Sequence, residues 1–204
     1  MRWPSFCLIL SCGISYAQDI DSIFYESGDL KAAGTIYDEM RQGVWSFYYP
    51  NGDLSAQLRY VDGDLNGVQT YYAHDYQVLA VENWKDGLQE DSSYYYYPNG
   101  QLEKKGIFKD GLYEGKWSFF YENGNLKREG SYLLGLPQGA WIFYHINGRP
   151  NQRGVLRDSK EEGLWMYFDE EGIKTYEGNW EAGQRVGVWY YFKKGKKKKW
   201  KSFD

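Results

Sequence analysis

The feature that most constrains this chain is a 24-residue repeat, held in one frame without an insertion. The motif Gly-x-Trp begins at residues 43, 115, 139, 163 and 187, and further units begin at Gly67 and Asp91, with a degenerate unit from 19. Positions are counted from this glycine as position 1. A fixed period of this length indicates stacked supersecondary units, each of which buries its apolar side chains against its neighbours.

Each unit has the pattern of a β-hairpin. Positions 5 and 6 are aromatic in all seven regular units, and Asn-Gly occupies positions 9 and 10 in four of them. Asn-Gly between β-prone runs indicates a tight turn, since both residues tolerate positive φ, and Asp-Gly at positions 20 and 21 indicates a second turn. We therefore predict strands at positions 2–8 and 11–18, and an all-β fold: an elongated, single-layer antiparallel meander of repeated hairpins.

Glycine also recurs at position 16, in the second strand of the unit. A glycine inside a strand leaves a gap that a neighbouring ring can cover. We expect the ring at position 3 or position 5 to lie over it.

The N-terminus is typical of an export signal. Arg2 is followed by an apolar stretch from Phe6 to Ile14 and by Ser15-Tyr16-Ala17, a small-x-small cleavage site. We predict a signal peptide at 1–17 and a repeat domain at 18–204, exported to the periplasm, the outer membrane or the exterior. A loose lipobox ending at Cys12 offers lipoprotein processing as the alternative. Because the cysteines are Cys7 and Cys12, ordinary cleavage leaves no disulfide.

Charge is unevenly distributed. Residues 18–192 contain 16 basic and 27 acidic residues, a net charge of −11, which disfavours nucleic acid as a partner. The segment from Lys193 to Lys201 has seven lysines, and the candidate electrostatic tail is Lys196, Lys197, Lys198 and Lys199. Lysines on an edge strand block edge-to-edge pairing, so we predict a cap. A peripheral contact with anionic lipid or polymer is the alternative.

The motif Gly-x-Trp-x-Phe-Tyr-x-x-Asn-Gly-x-Leu, followed by glycine and an Asp-Gly turn, resembles the MORN-variant repeat of the YwqK-like antitoxin family. The stretch from Gly115 to Gly135 matches at nearly every marked position. The resemblance implies an elongated sheet of hairpins that serves as a scaffold for protein contacts, or for membrane lipid in some proteins. It carries over no catalytic residue.

Catalytic and metal-binding patterns are weak. The two histidines, His74 and His145, occupy variable positions, and no serine or carboxylate partner is set apart from the repeat pattern. We expect both to be exposed at the edge of the sheet. Acidic residues near the turns match no calcium loop. We predict no enzyme activity, no metal and no cofactor.

The aromatic rows are the candidate interaction surface. A thin sheet leaves rings partly open, and a large exposed apolar patch usually marks a partner site. We expect a monomer that binds a protein partner, in an antitoxin-like manner or otherwise, and a glycan platform is the alternative. The candidate contact residues are Trp45, Tyr72, Trp117, Trp141, Trp165 and Trp189.

Overall fold

The computed structural model describes residues 19–204, so the predicted signal peptide and both cysteines lie outside the described residues. The described part forms 18 strands and no helix. The strands are β1 (Asp19–Phe24), β2 (Leu30–Tyr37), β3 (Met40–Tyr48), β4 (Leu54–Val61), β5 (Asp64–Leu65), β6 (Gly67–Tyr72), β7 (Val78–Lys85), β8 (Leu88–Gln89), β9 (Asp91–Tyr96), β10 (Leu102–Lys109), β11 (Leu112–Phe120), β12 (Leu126–Leu133), β13 (Leu136–Tyr144), β14 (Pro150–Arg157), β15 (Lys160–Phe168), β16 (Lys174–Glu181), β17 (Gln184–Lys193) and β18 (Lys196–Phe203).

These strands form one antiparallel meander in which neighbours along the chain pair, except that β5 and β6 both pair with β4 and that β8 and β9 both pair with β7. Within residues 19–204, β1 pairs only with β2 and β18 only with β17, so these two strands are the edges of the sheet. The units from Gly67 and Asp91 differ because their first strand is broken in two, as β5 with β6 and β8 with β9. The predicted all-β meander of hairpins is confirmed.

The tip of each hairpin is wider than predicted. Strand β3 ends at position 6 rather than 8, and the five residues 49–53 form the tip. The N–H of Gly52 donates to Tyr49 O at 2.9 Å and the N–H of Tyr49 donates to Asp53 O at 2.8 Å, the pattern of a type I turn closed by a left-handed glycine. Gly52 has φ +88°, whereas Asn51 keeps a negative φ. The expectation of positive φ at both residues is therefore wrong here.

The opposite turns follow the prediction. Asp62 has φ +49° and Gly63 has φ +87°, which is the geometry of a type I′ turn. The N–H of Gly63 also donates to Arg41 O, near the start of β3, at 3.0 Å. Equivalent bonds from turn glycines to the strand one repeat earlier connect consecutive repeats along this side of the sheet.

The core is a row of five tryptophans at position 3, present in five of the seven regular units, each lying over a glycine. A Cβ built on the position-16 glycine of one unit would overlap the indole ring at position 3 of the next. The pairs are Gly34 with Trp45, Gly106 with Trp117, Gly130 with Trp141, Gly154 with Trp165 and Gly178 with Trp189. The covering ring is thus the position-3 tryptophan of the following unit, and burying each indole contributes about 2–3 kcal/mol.

Two of these glycine–tryptophan pairs are replaced, and in each case both the position-16 residue and the position-3 residue of the next unit differ. Leu58 stands where position 16 is usually glycine, and Gln69 replaces the tryptophan that would cover it. Likewise Glu82 is followed by Ser93 at position 3. Gln69 is fully buried, and its amide bonds both the N–H and the C=O of Arg59, at 2.6 and 3.2 Å. A larger residue at position 16 leaves no room for an indole, which explains the paired exchange.

We expect Gly130→Val to lower the free energy of unfolding by about 3 kcal/mol, because the added carbons overlap the Trp141 ring. Denaturant unfolding followed by circular dichroism measures this. The matched control is Ser131→Val on the exposed opposite face of the same strand, which should change stability by less than about 0.5 kcal/mol.

The double variant Gly130→Leu with Trp141→Gln copies the natural pair of Leu58 and Gln69. It should be more stable than Gly130→Leu alone, since the glutamine removes the overlap and can bond the same backbone. Equal stability of Gly130→Val and wild type, or no recovery in the double variant, would show that this packing does not control the fold.

Candidate interaction face

The sheet has two unlike faces. Trp117 lies within ring-contact distance of Tyr113, Phe108, Phe119 and Tyr132, with centroid distances from 3.8 to 6.4 Å. Positions 3, 5, 18 and 23 therefore share one side, named here the tryptophan face. Positions 2 and 4 point to the opposite face, where Val44 is 51% and Val68 53% exposed.

The predicted contact tryptophans do not form a surface. Trp45, Trp117, Trp141, Trp165 and Trp189 are only 0–2% exposed. Four of their five indole N–H groups donate to the backbone carbonyl ten residues earlier, at 2.9–3.2 Å. Their assignment to the candidate surface is wrong, because the neighbouring unit covers each ring. Tyr72, the sixth candidate, is half-buried, and its hydroxyl donates to Gln57 Oε1 at 3.3 Å.

The accessible rings of the tryptophan face are those at position 5. Four of them lie beside a buried tryptophan, as Phe143 does at 6.0 Å from Trp141 and 6.2 Å from Trp165. All seven rings are half-buried, so one edge of each is open to solvent. They are Phe47, Tyr71, Tyr95, Phe119, Phe143, Tyr167 and Tyr191. The sequence placed positions 3 and 5 on one face, and we chose position 3 as the contact residue. The better indicator was position 5, which is aromatic in all seven units.

A buried carboxylate interrupts the row in its middle. Glu82 is 8% exposed and accepts hydrogen bonds from the Tyr95 hydroxyl at 2.7 Å and the Trp84 indole at 2.9 Å. Burial, with the charge of Glu82 next, raises the pKa of Tyr71 to about 12, and burial and the bond to Glu82 raise the pKa of Tyr95 strongly. Both tyrosine hydroxyls therefore stay protonated and can donate hydrogen bonds to Glu82.

The tip side of the sheet carries a ladder of hydrogen bonds between repeats. The hydroxyls of Tyr25, Tyr49, Tyr97 and Tyr121 at position 7 donate to the position-6 carbonyl of the next unit at 2.8–2.9 Å. His145 occupies the same place, with Nε2 2.9 Å from Phe168 O. The expectation that His145 is an exposed residue is wrong, since it is half-buried in this ladder. His74 is exposed and stacks on Tyr49 at 3.9 Å.

The lysine-rich tail forms the edge strand β18. Lys196, Lys197, Lys198 and Lys199 are all exposed. Lys197 is anchored, because its Nζ lies 2.7 Å from Glu177 Oε1, while Lys174 binds the other carboxylate oxygen at 2.7 Å. Burial alone would raise the pKa of Glu177, but the hydrogen bonds from the two lysines outweigh burial and lower it.

In the described range 19–204, no group of three or more potential ligands could hold a metal ion. No helix of that range has the length and apolarity required to cross a membrane.

We expect Glu177→Gln to loosen β18, because the variant removes the charge that holds Lys197. Amide hydrogen exchange in β18 should accelerate about two- to fivefold, while exchange in β12 stays unchanged.

Since the Glu177 pKa is lowered on folding, its stabilising effect is present above the ordinary glutamate value of 4.5 and is lost as the pH falls through the lower folded value. Wild type should therefore approach the variant under acidic conditions. The control Glu129→Gln removes the equivalent Lys116 pair and should leave β18 unaffected.

Comparison with known proteins agrees with this architecture. A family model described as MORN repeat variant matches residues 41–62, 92–110 and 113–133. No curated protein matches the chain. A chain in the crystal structure of TcdB2-TccC3-Cdc42 is 11% identical with a TM-score of 0.21, a likeness too low to support any argument. The match covers 85% of this chain and 13% of that one, so this chain spans a small part of its length. Three hairpins of the sheet thus match the MORN repeat variant, a repeat that is generally a module for contacts with proteins or membranes.

Proposed function

We propose that this chain is an exported, non-enzymatic repeat scaffold that binds a protein partner along its tryptophan face. The observation that carries the proposal is the row of seven half-buried rings at position 5, which runs the length of a single-layer sheet. No second layer covers this row within residues 19–204. An apolar row that is partly open to solvent over this length is typical of an interaction site.

The rings are well suited to binding. Aromatic side chains contribute large contact areas and lose little conformational entropy when they are held in place beforehand. Buried tryptophans pack against these rings and restrict their motion. Phe119 lies 6.0 Å from Trp117, and Phe47 lies 6.3 Å from Trp45. The regular 24-residue spacing favours an extended partner surface that contacts several repeats.

Charge favours a basic partner. The net charge of −11 over residues 18–192 accelerates association with a positively charged protein, and salt should slow that association. The buried Glu82 adds a carboxylate in the middle of the ring row that no ion pair neutralises among the described residues.

The membrane alternative rests on β18. Lys196, Lys198 and Lys199 are exposed there, and Trp200 beside them is 44% exposed. Such a strand can attract anionic lipid. The glycan alternative is weakened because the position-3 tryptophans are buried, and a glycan would have to stack on the position-5 rings instead.

Export and an antitoxin-like role remain proposals that rest on the sequence. The N-terminal segment supports export, and the family resemblance supports the antitoxin-like role, whose toxin would then have to be met outside the cytoplasm. We expect mass spectrometry of the protein from a bacterial periplasmic fraction to show a mature N-terminus at Gln18. A diacylglycerol-modified Cys12 would establish the lipoprotein route, and an intact Met1 in the cytoplasm would contradict export.

Paired ring variants test the protein-binding proposal. We expect Phe47→Ala with Phe143→Ala to reduce capture of a periplasmic partner on immobilised protein about tenfold or more, since two anchor rings are lost. The matched control, Val44→Ala with Ile142→Ala, alters the opposite face of the same strands and should bind normally. Melting curves verify that both variants fold.

The pattern of loss separates the candidate functions. Loss in the ring variant together with weaker capture at high salt supports a basic protein partner. Ring dependence without salt dependence favours a glycan. Binding that depends only on β18 favours a membrane, and loss in the control alone contradicts the proposed face.

A further inference from the structure

The C-terminal end of the tryptophan face contains a cavity of about 230 Å³. Its lining comes from four consecutive strands, β15 to β18, and is mostly aromatic. The lining residues are Tyr167, Tyr176, Arg185, Trp189 and Trp200.

A bulge in the edge strand builds this cavity. In β17 and β18, Trp189 pairs with Lys201 and Tyr190 pairs with Lys199, which leaves Trp200 as an extra residue between them. In the other regular units the two strands remain in register at the position-3 tryptophan, as Trp165 with Gly178 shows. Bulges often redirect a side chain beside a functional site. Here the bulge brings the Trp200 ring to 5.3 Å from Tyr176, two strands away.

The walls of the cavity are accessible to a ligand. Tyr176 is 39% and Trp200 is 44% exposed, and their rings meet at 65°. Trp189, which is 1% exposed, closes the bottom, with centroids 6.3 Å from Trp200 and 5.9 Å from Tyr167. Two partly exposed rings in edge-to-face contact, with a buried third ring below them, give the cavity an apolar wall against which a flat or cyclic group can pack.

One cation lies in this aromatic lining. The Arg185 guanidinium carbon is 4.7 Å from the Trp189 ring centroid and 5.7 Å from that of Trp200. Its side chain makes no ion pair or hydrogen bond with any residue of the range 19–204. Stacking on rings leaves the N–H groups of a guanidinium free to bind an anion, and their planar arrangement matches a carboxylate.

We propose that this cavity binds a small ring compound carrying a carboxylate, with the carboxylate on Arg185 and the ring packed against the exposed sides of Tyr176 and Trp200. An apolar slot with one charged group is the usual composition of a small-molecule site, and the volume limits the ligand to about one ring with its substituents. The ring can belong to an aromatic acid or to a sugar acid. The cavity shares Tyr167 with the row of position-5 rings, but Tyr176, Arg185 and Trp200 lie outside that row. Its test on these residues is therefore separate from the test of the protein partner.

Four probes define the ligand class on the full chain. Phenylacetate and glucuronate each carry a ring and a carboxylate, acetate carries the charge alone, and glucose carries the ring alone. Titration followed by the indole N–H signals in NMR spectra should show that at least one ring acid binds about tenfold more tightly than acetate and glucose. Preference for phenylacetate or for glucuronate identifies the source of the ring. Equal binding of acetate, or binding of none, overturns the proposal.

The repeats supply a matched control for the arginine. Arg41 occupies the same repeat position as Arg185 and stacks on Trp45 at 4.5 Å, but no counterpart of Trp200 lies near it. Arg185→Gln should weaken ring-acid binding about tenfold or more, whereas Arg41→Gln should not. Trp200→Ala should weaken both ring acids, and Arg185→Gln remains decisive if Trp200→Ala loosens β18. An equal effect of the two arginine variants would refute the site.

Discussion

The contact of a tryptophan ring with a strand glycine is the interaction on which the rest of this structure depends. A single-layer sheet has no second sheet or helix to bury its apolar side chains. Each indole instead covers the bare backbone of the preceding unit and reaches a burial of 98% or more. Since every such contact joins two repeats, stability is the sum of interfaces between neighbours rather than of one central core.

The exceptions support the same constraint. Where position 16 carries Leu58 or Glu82, the following unit has Gln69 or Ser93 instead of tryptophan, and its first strand is broken. The array loses two aromatic contacts in succession there. It gains a buried polar region in which Glu82 is held by tyrosine and indole donors. The middle of the sheet is therefore chemically distinct from both ends, although the backbone path continues unchanged.

Folding and binding use different rings of the same face. The position-3 tryptophans are buried between neighbouring units, whereas the position-5 rings remain partly exposed to solvent. Hydrogen bonds at both ends of the strands, from the tip tyrosines and from the glycines of the type I′ turns, fix the position of each unit relative to the next. Such a scaffold presents a preorganised surface, which lowers the entropic cost of binding a partner.

The sequence by itself determined the repeat frame, the hairpin content, the Asp-Gly turns and the basic edge strand, because period and turn chemistry are local properties of the chain. It also indicated that a ring covers the position-16 glycine. Only the tertiary structure decided which ring covers it, because that contact joins two residues, 11 apart in the chain, on adjacent strands of different units. For the same reason, the burial of the tryptophans, the place of His145 in the tip ladder and the bulge that directs Trp200 over Tyr176 depend on how neighbouring strands pack, which no single unit encodes.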